Sequence, residues 1–467
     1  MATNVIKIVQ VSPSTDSALG SLNSLGLPLT LFFPRGGLSH FDLPWKNLPT
    51  MQRVIFYRLH ELSAESFYSQ IFPKLERSLS ITLHHYSPLA GRLTWDAQDP
   101  KLCILFSQGD STTLTVAETE ADFSCVSGDG LRPAAELRSF VPSLKASDDS
   151  ASALSLQITF FPNQGFCIGV TSHHGAVDGK VFLMFIKSWA YVCRLQEHEA
   201  TKNLPVLPEE LTPSFDRTVI NIPTRLEEEI LGMSAKYRNN IMRTLNPSPA
   251  PEITADTISA TVELTRENIE KLKERVKNES TRPLELRLST YVIAFAYAWT
   301  WVVKACEDDA NRPVGLLVAA DFRHRLSPRV PDTYFGNCVF PIGLFGYEAR
   351  EFSEEDGFVK VVEILSDAVH GLDSGEVESH CMNYVGGVKK IKPGAQIGAI
   401  AGSPRLGIYG VDFGWGRPAK TDLVTIDRTK GFFSLSERKN GQDGVEMGLC
   451  LEKSEMNIFL SLYKNGL

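Results

Sequence analysis

No stretch of the chain approaches the roughly 18 consecutive apolar residues that a membrane-spanning helix needs, and it contains no internal repeat or low-complexity tract. Basic residues are outnumbered, with 47 Lys and Arg against 55 Asp and Glu and a formal charge of −8. A nucleic-acid binder would show a basic surplus or stripe, so that class is set aside. An anionic ligand would need a local basic pocket or aligned backbone N–H groups. The eight cysteines (Cys103, Cys125, Cys167, Cys193, Cys306, Cys338, Cys381 and Cys450) include no C-x-x-C pair and no framework spacing. Free thiols in a reducing compartment follow, and the expected location is cytoplasmic. The run from Val5 to Val11 is short, interrupted by Lys7 and Gln10 and without a basic flank, which predicts a first strand and not a signal peptide. Ala2 stands where a myristoylation signal has glycine, and Lys464-Asn465-Gly466-Leu467 holds no prenylation cysteine, so no lipid anchor is expected. A hydrolase elbow of the form Gly-x-Ser-x-Gly is also missing. Gly402-Ser403-Pro404 puts proline where such an elbow would turn into its helix.

What is present is globular. Hydrophobic residues make up 43% and charged residues 22%, which argues against disorder, and 467 residues call for two or more cores. Met51 to Tyr57 reads as a strand, and Phe72, Leu75, Leu79, Leu83 and Tyr86 recur at helical spacing before Pro88 and Gly91. Leu154, Leu156, Ile158 and Phe160 alternate with polar residues as in a half-buried strand. Turn chemistry at Pro162-Asn163-Gln164-Gly165 leads to a return strand, Phe166 to Thr171, that delivers the chain to His173-His174. Val181 to Arg194 is apolar enough for a buried helix. Thr265 and Ser289 cap two more, running to about Asn278 and Ala305. Strands are expected from Val314 to Ala320 and from Asn337 to Leu344. Prolines 205, 208, 213 and 223 mark a crossover. Residues 1–196 therefore form one expected domain, 197–225 a linker and 226–467 a second domain, with part of 370–410 open to packing against the first.

The sharpest local feature is Ser172-His173-His174-Gly175-Ala176-Val177-Asp178-Gly179, where a strand ends and a helix begins. An imidazole takes a proton at neutral pH, and a base placed on an attacking hydroxyl contributes about 10²–10⁴-fold in rate. Asp178, four residues on, can orient the ring or lock the loop through a distant arginine. A His-His pair is also commonly structural, and His84-His85, without an acid four residues on, reads as packing or surface. Metal ligation is not expected, because no third ligand is signposted. A second feature is Asp412-Phe413-Gly414-Trp415-Gly416, in which glycines permit a tight backbone that Asp412 can hold shut. A loop stabilised by a buried tryptophan explains it as well as direct participation does.

Together these motifs resemble the plant BAHD acyltransferases, which carry H-x-x-x-D mid-chain and D-F-G-W-G near the C-terminus. Both stand complete here, at His174–Asp178 and Asp412–Gly416. The first alone also resembles chloramphenicol acetyltransferases and peptide-synthetase condensation domains; the second separates the chain from those. Tyr334-Phe335-Gly336-Asn337-Cys338 is similar to the signature of the branch acting on anthocyanin, flavonoid and other phenolic glucosides. Leu27-Pro28-Leu29-Thr30, Tyr86-Ser87-Pro88-Leu89-Ala90-Gly91 and Ser214-Phe215-Asp216-Arg217 match that branch too, and the flanks of His173–Lys180 are most like phenolic glucoside malonyltransferases.

The resemblance implies an α/β fold of two chloramphenicol-acetyltransferase-like domains with mixed β-sheets and flanking helices, and an active-site channel between them. It implies transfer from an acyl-CoA co-substrate, malonyl-CoA foremost, to a sugar hydroxyl (the glucose 6-OH) of a phenolic glycoside. No metal, no permanently bound cofactor and no acyl-enzyme are implied, and a monomer without nucleic-acid or membrane partners is expected. His174 and Asp178 form the catalytic motif, with His174 as base and Asp178 turned toward Arg323. Asp412, Gly414, Trp415 and Gly416 hold their loop. Lys180, Arg325 and a channel-facing Trp415 are the candidate substrate contacts, the cations suiting a malonyl carboxylate. One departure is the insertion of residues 31–40, including Pro34-Arg35-Gly36-Gly37, before Phe41-Asp42-Leu43-Pro44-Trp45, in the region that shapes the acceptor end. The rivals are a hydroxycinnamoyl-CoA transferase on the same acceptors and a non-catalytic ligand-binding member.

Overall fold

The computed structural model describes residues 3–14, 30–31, 42, 45, 48–95, 102–196, 204–220, 244–247, 253–306, 309–374, 377–388, 391–428 and 430–467. The inserted segment from 32 to 40 lies outside these residues, as do 197–203 and 221–225 of the expected crossover.

Strands with alternating or continuous apolar patterns assemble into two large mixed sheets. The first runs Asn4–Val11, Thr112–Glu118, Leu154–Phe161, Gly165–Ser172, Met51–Arg58, Lys420–Leu423. Its one parallel pairing joins Thr112–Glu118 to Leu154–Phe161. The second runs Val339–Glu348, Pro313–Asp321, Gln396–Ala401, Phe432–Glu437, Gly444–Glu452, Thr257–Thr265, Arg132–Pro133, with parallel pairings on both sides of Gln396–Ala401. A small sheet adds Thr30–Leu31, Leu102–Ser107, Arg92–Trp95 and Ser150–Ser152.

The hairpin that leads to His174 forms in full register, from Gly165 opposite Phe161 to Ser172 opposite Leu154. Its turn uses a left-handed Asn163 (φ 60°) and a Gly165 at φ 142°, a conformation suited to glycine. Leu154–Phe161 is buried along both faces and not half-buried as expected. It sits in the middle of the sheet, and its polar residues find partners inside: Gln157 donates to the Ser139 carbonyl at 2.8 Å and to Thr159 Oγ1 at 3.0 Å. Alternation therefore marked a strand correctly but overstated its exposure.

The helices follow their sequence signals. Phe72–His85 is preceded by a π-helical turn over Phe67–Ile71. Gly179–Leu195 is capped by Asp178, Arg266–Glu279 by Thr265 with Asn268 completing the capping box, and Thr290–Ala305 by Ser289. Two main apolar clusters result. One surrounds Thr290–Ala305 on the second sheet; the other surrounds Phe72–His85 and Gly179–Leu195 on the first. Among the described residues no helix is long and apolar enough to cross a membrane.

The two sheets exchange strands. Lys420–Leu423, late in the sequence, pairs with Met51–Arg58, and Arg132–Pro133, early in the sequence, pairs with Thr257–Thr265. Ile408, Tyr409, Val411 and Phe413 join the first core. The crossing segment thus runs from about residue 406 to 424, overlapping only the end of 370–410; Val377–Val388 packs on Val339–Glu348 instead. Between the exchanged strands, Arg132 Nη2 lies 2.6 Å from Asp422 Oδ1 with both side chains more than nine-tenths buried. Removing one member of such a pair leaves a buried charge and costs about 3–5 kcal/mol. Asp422→Ala is expected to lower stability by that order in a denaturation curve, and Arg132→Met combined with Asp422→Leu to recover most of the loss. Equal losses in both variants would show that the pair's charge is not what the exchange rests on.

Candidate active site

His173 and His174 leave the end of Gly165–Ser172 and point different ways. His173 is buried: Gly175 N–H donates to its Nδ1 at 3.1 Å, which leaves the proton on Nε2, 3.2 Å from the Leu245 carbonyl. Burial pushes its pKa down to about 4. His174 is half-buried, and its Nδ1 is a buried atom with no hydrogen bond. Burial pushes the His174 pKa below its ordinary value. Its own backbone, the charge of Asp178, the Asn337 side chain and the charge of Asp42 each pull it back up without cancelling the shift. The lowered pKa makes the neutral ring the dominant form at pH 7.

Asp178 does not bond to that ring. Its Oδ1 accepts the N–H groups of Lys180 and Val181, both at 3.1 Å, capping the helix Gly179–Leu195. Its Oδ2 accepts Cys338 N–H at 3.1 Å and meets Arg323 Nη2 at 2.8 Å, with both side chains at 0% exposure. Burial opposes the Arg323 charge, but Asp178 and Asp321 outweigh it and raise its pKa. Of the two arrangements open for Asp178, the lock through a distant arginine is the one present.

A second buried carboxylate sits across the site. Asp42 Oδ1 accepts the backbone N–H and Nδ2 of Asn337, each at 2.8 Å, and Oδ2 accepts Arg217 Nη1 at 2.6 Å. Asn337 Nδ2 also donates to the His174 carbonyl at 2.9 Å. Trp45 stacks on the His174 ring, centroids 4.5 Å apart and planes 11° apart, and its Nε1 donates to the Val339 carbonyl at 3.1 Å. The backbone of Phe335 donates to Ser214 at 2.8 Å, and Ser214 donates to Thr333 at 2.9 Å, so the 214–217 and 334–338 motifs lie side by side. Among the described residues no group of His, Cys, Asp and Glu could hold a metal ion.

The Transferase family matches residues 37–464. A BAHD acyltransferase of Arabidopsis thaliana is 50% identical over 99% of this chain and 98% of its own length. The chain belongs to the BAHD acyltransferase family. Agmatine coumaroyltransferase of the same species is 47% identical, covering 99% of each chain, and phenolic glucoside malonyltransferase 2 is 45% identical over the whole of both. The crystal structure of vinorine synthase shares the fold, with a TM-score of 0.67 at 20% identity over 98% of each chain. The protein is an acyltransferase with acyl-CoA as its co-substrate, and its α/β fold is that of the chloramphenicol-acetyltransferase-like enzymes.

Other residues singled out in this BAHD chain fall in different places. Lys180 Nζ pairs with Asp332, whose Oδ1 is also 3.1 Å from His324 Nε2. Arg325 is exposed and donates to the Asp321 carbonyl at 2.6 Å. Asp412 Oδ1 accepts Gly414 N–H at 2.7 Å and Gly416 N–H at 3.0 Å, closing its loop, and Arg194 donates to its carbonyl. Trp415 packs edge-on against Phe166, 5.7 Å between centroids, with Lys74 over its face. Phe166 lies at the far end of the strand from His174, and eight residues at about 3.3 Å each put some 25 Å between them. Trp415 is partly buried against the first core and stands apart from the His174 ring. Asp42, Trp45, Arg217 and Asn337 carried no chemical assignment from sequence, although each stands in a stretch noted as family-like.

Gly336 shows how tightly the motif is set. Its φ is 136°, and a Cβ there would lie 3.0 Å from both terminal nitrogens of Arg217. Gly336→Ala is expected to cost about 1–3 kcal/mol through the backbone alone and to lower kcat by loosening Arg217 from Asp42. A variant with wild-type melting and turnover would show that the glycine is dispensable.

Proposed function

We propose that this acyltransferase moves a malonyl group from malonyl-CoA to a sugar hydroxyl, the glucose 6-OH, of a flavonoid, anthocyanin or other phenolic glucoside, with His174 as general base. The observation that carries the reading is the half-buried His174 ring, kept neutral at pH 7 by burial and flanked by residues from both halves of the chain. Residues 1–196 and 226–467 are the two domains of this reading, meeting at His174.

The acceptor hydroxyl gives its proton to His174 as its oxygen attacks the thioester carbonyl carbon. The resulting tetrahedral oxyanion collapses, the C–S bond breaks, and the CoA thiolate takes the proton back from the imidazolium. The ester is formed, and no acyl-enzyme intervenes. Donors directed at the oxyanion are worth about 10²–10³-fold each. Asp178 serves this chemistry by fixing where the His174 backbone sits. The malonyl donor is supported by the malonyltransferase relatives at 45% identity; Lys180 is already paired with Asp332, and a donor carboxylate would have to displace that partner. The enzyme acts as a cytoplasmic monomer on small molecules.

His174→Ala is expected to remove nearly all turnover with the fold intact by circular dichroism; retained turnover would end the proposal. A panel of acyl-CoAs with one flavonoid glucoside, read by mass spectrometry, should give malonyl ester first, and a coumaroyl ester first would move the enzyme to the hydroxycinnamoyl donors. The His174 pKa is lowered, so kcat/KM should hold through neutral pH and fall only as pH drops through a value below the imidazole's ordinary 6.5. Asp178→Asn removes a negative charge that favours the protonated ring, so it should move this acid limb to still lower pH while reducing stability. An acid limb moving upward would contradict the assignment of His174 as the titrating base.

A further inference from the structure

Trp45 and Asn337 both approach His174, and neither belongs to the H-x-x-x-D motif. Trp45 covers one face of the imidazole at 4.5 Å and is itself held by the Val339 carbonyl. Asn337 grips the His174 carbonyl, while its own backbone and side-chain N–H groups are anchored on Asp42. Its Oδ1 is buried with no hydrogen bond, as is His174 Nδ1. The amide cannot simply be flipped, because Nδ2 already serves two acceptors, Asp42 Oδ1 at 2.8 Å and the His174 carbonyl at 2.9 Å.

The Asp178 carboxylate is meanwhile occupied by two backbone N–H groups of the helix N-terminus, Cys338 N–H and Arg323. Something other than Asp178 must therefore restrain rotation of the ring. We infer that Trp45 and Asn337 are the positioning residues of His174, with Asp42 as their shared anchor, so that the segment following the 31–40 insertion supports the base. The inference rests on His174 being the base. Asp42 brings the segment to Asn337 and Arg217, and Trp45, three residues on, reaches the ring.

A flat aromatic face stacked on an imidazolium stabilises its charge, and the Asn337 side chain also favours the protonated ring. Among the described residues the charged or titratable groups that bear on the ring are Asp178, Asp42 and His173; Trp45→Leu removes none of them, and Asn337→Ala removes one of the two bonds to Asp42 Oδ1 while the backbone bond stays.

The test compares Trp45→Leu, Trp45→Phe and Asn337→Ala with wild type and His174→Ala. A ring free to leave its productive orientation costs about 10²-fold, so Trp45→Leu and Asn337→Ala should each lose on that order in kcat with little change in KM for acyl-CoA. Both should move the acid limb of the pH profile downward. Trp45→Phe, which can still stack, should restore most of kcat and return the acid limb toward wild type. Nitrogen-15 NMR of histidine-labelled protein follows His174 titration without turnover, and both variants should lower the His174 midpoint. If His174→Ala is inactive while Trp45→Leu and Asn337→Ala keep kcat and the His174 midpoint, the inference is overturned and the base assignment survives. If His174→Ala remains active, the base assignment fails instead. Should Trp45→Leu not fold, Asn337→Ala and Trp45→Phe decide the matter through the same midpoint.

Discussion

One buried carboxylate, that of Asp178, ties the architecture to the site. Two of its bonds cap the helix that follows His174, and two reach Cys338 and Arg323 in the second sheet's territory. Taking an aspartate and an arginine wholly out of water is expensive, and their attraction repays it only when the remaining hydrogen-bonding capacity is filled. Here it is largely filled: Arg323 also reaches Asp321 Oδ1 at 3.2 Å and the Gly336 carbonyl at 3.3 Å. The pair is weak evidence for stability as such. Its effect is positional, because it ties the loop 173–178 to Arg323 and Cys338 beside the second sheet.

The strand exchange serves the same end by different means. A contact between separately folded halves can slide, whereas a strand hydrogen-bonded into the other half's sheet cannot. Lys420–Leu423 in one direction and Arg132–Pro133 in the other fasten the halves by strand pairing. Lys420 adds to this, with its ammonium 2.8 Å from Asp129, 3.0 Å from Thr261 Oγ1 and 3.6 Å from Glu446. A group transfer between two substrates needs fixed distances, and a doubly fastened interface supplies them.

Local signals in the sequence were enough for the hairpin, four helices and the motif positions, because those depend on periodicity and caps that act within a few residues. They were not enough for features that depend on distant partners. Val339–Glu348 starts two residues later than the apolar pattern suggests, because Asn337 and Cys338 give their N–H groups to Asp42 and Asp178 instead of to a neighbouring strand. The burial of Ser155, Gln157 and Thr159 follows from the sheet's order, which no alternating pattern contains. Glycines around a tryptophan suit a closed loop and a substrate contact alike, so the packing of Trp415 on Phe166 is a feature that no local pattern contains. Trp45 and Asp42 had a usable signal, a tryptophan and an aspartate in a short family-like stretch, but nothing local says that they meet residues 174 and 337.

The neighbouring histidines show why motif and reactivity are different properties. His173 and His174 have the same chemistry and the same strand behind them, but His173 is buried and His174 half-buried. Successive side chains of an extended chain point to opposite sides, so one turns toward Leu245 and the other toward Trp45 and Asn337. His173 spends both ring nitrogens on backbone groups, which leave it no lone pair to offer, while burial keeps the ring neutral. His174 is desolvated without being satisfied. A buried polar atom without a partner is a cost that a fold normally removes; at His174 that cost falls on a ring enclosed by Trp45 from one half of the chain and Asn337 from the other, whereas the neighbouring His173 escapes it.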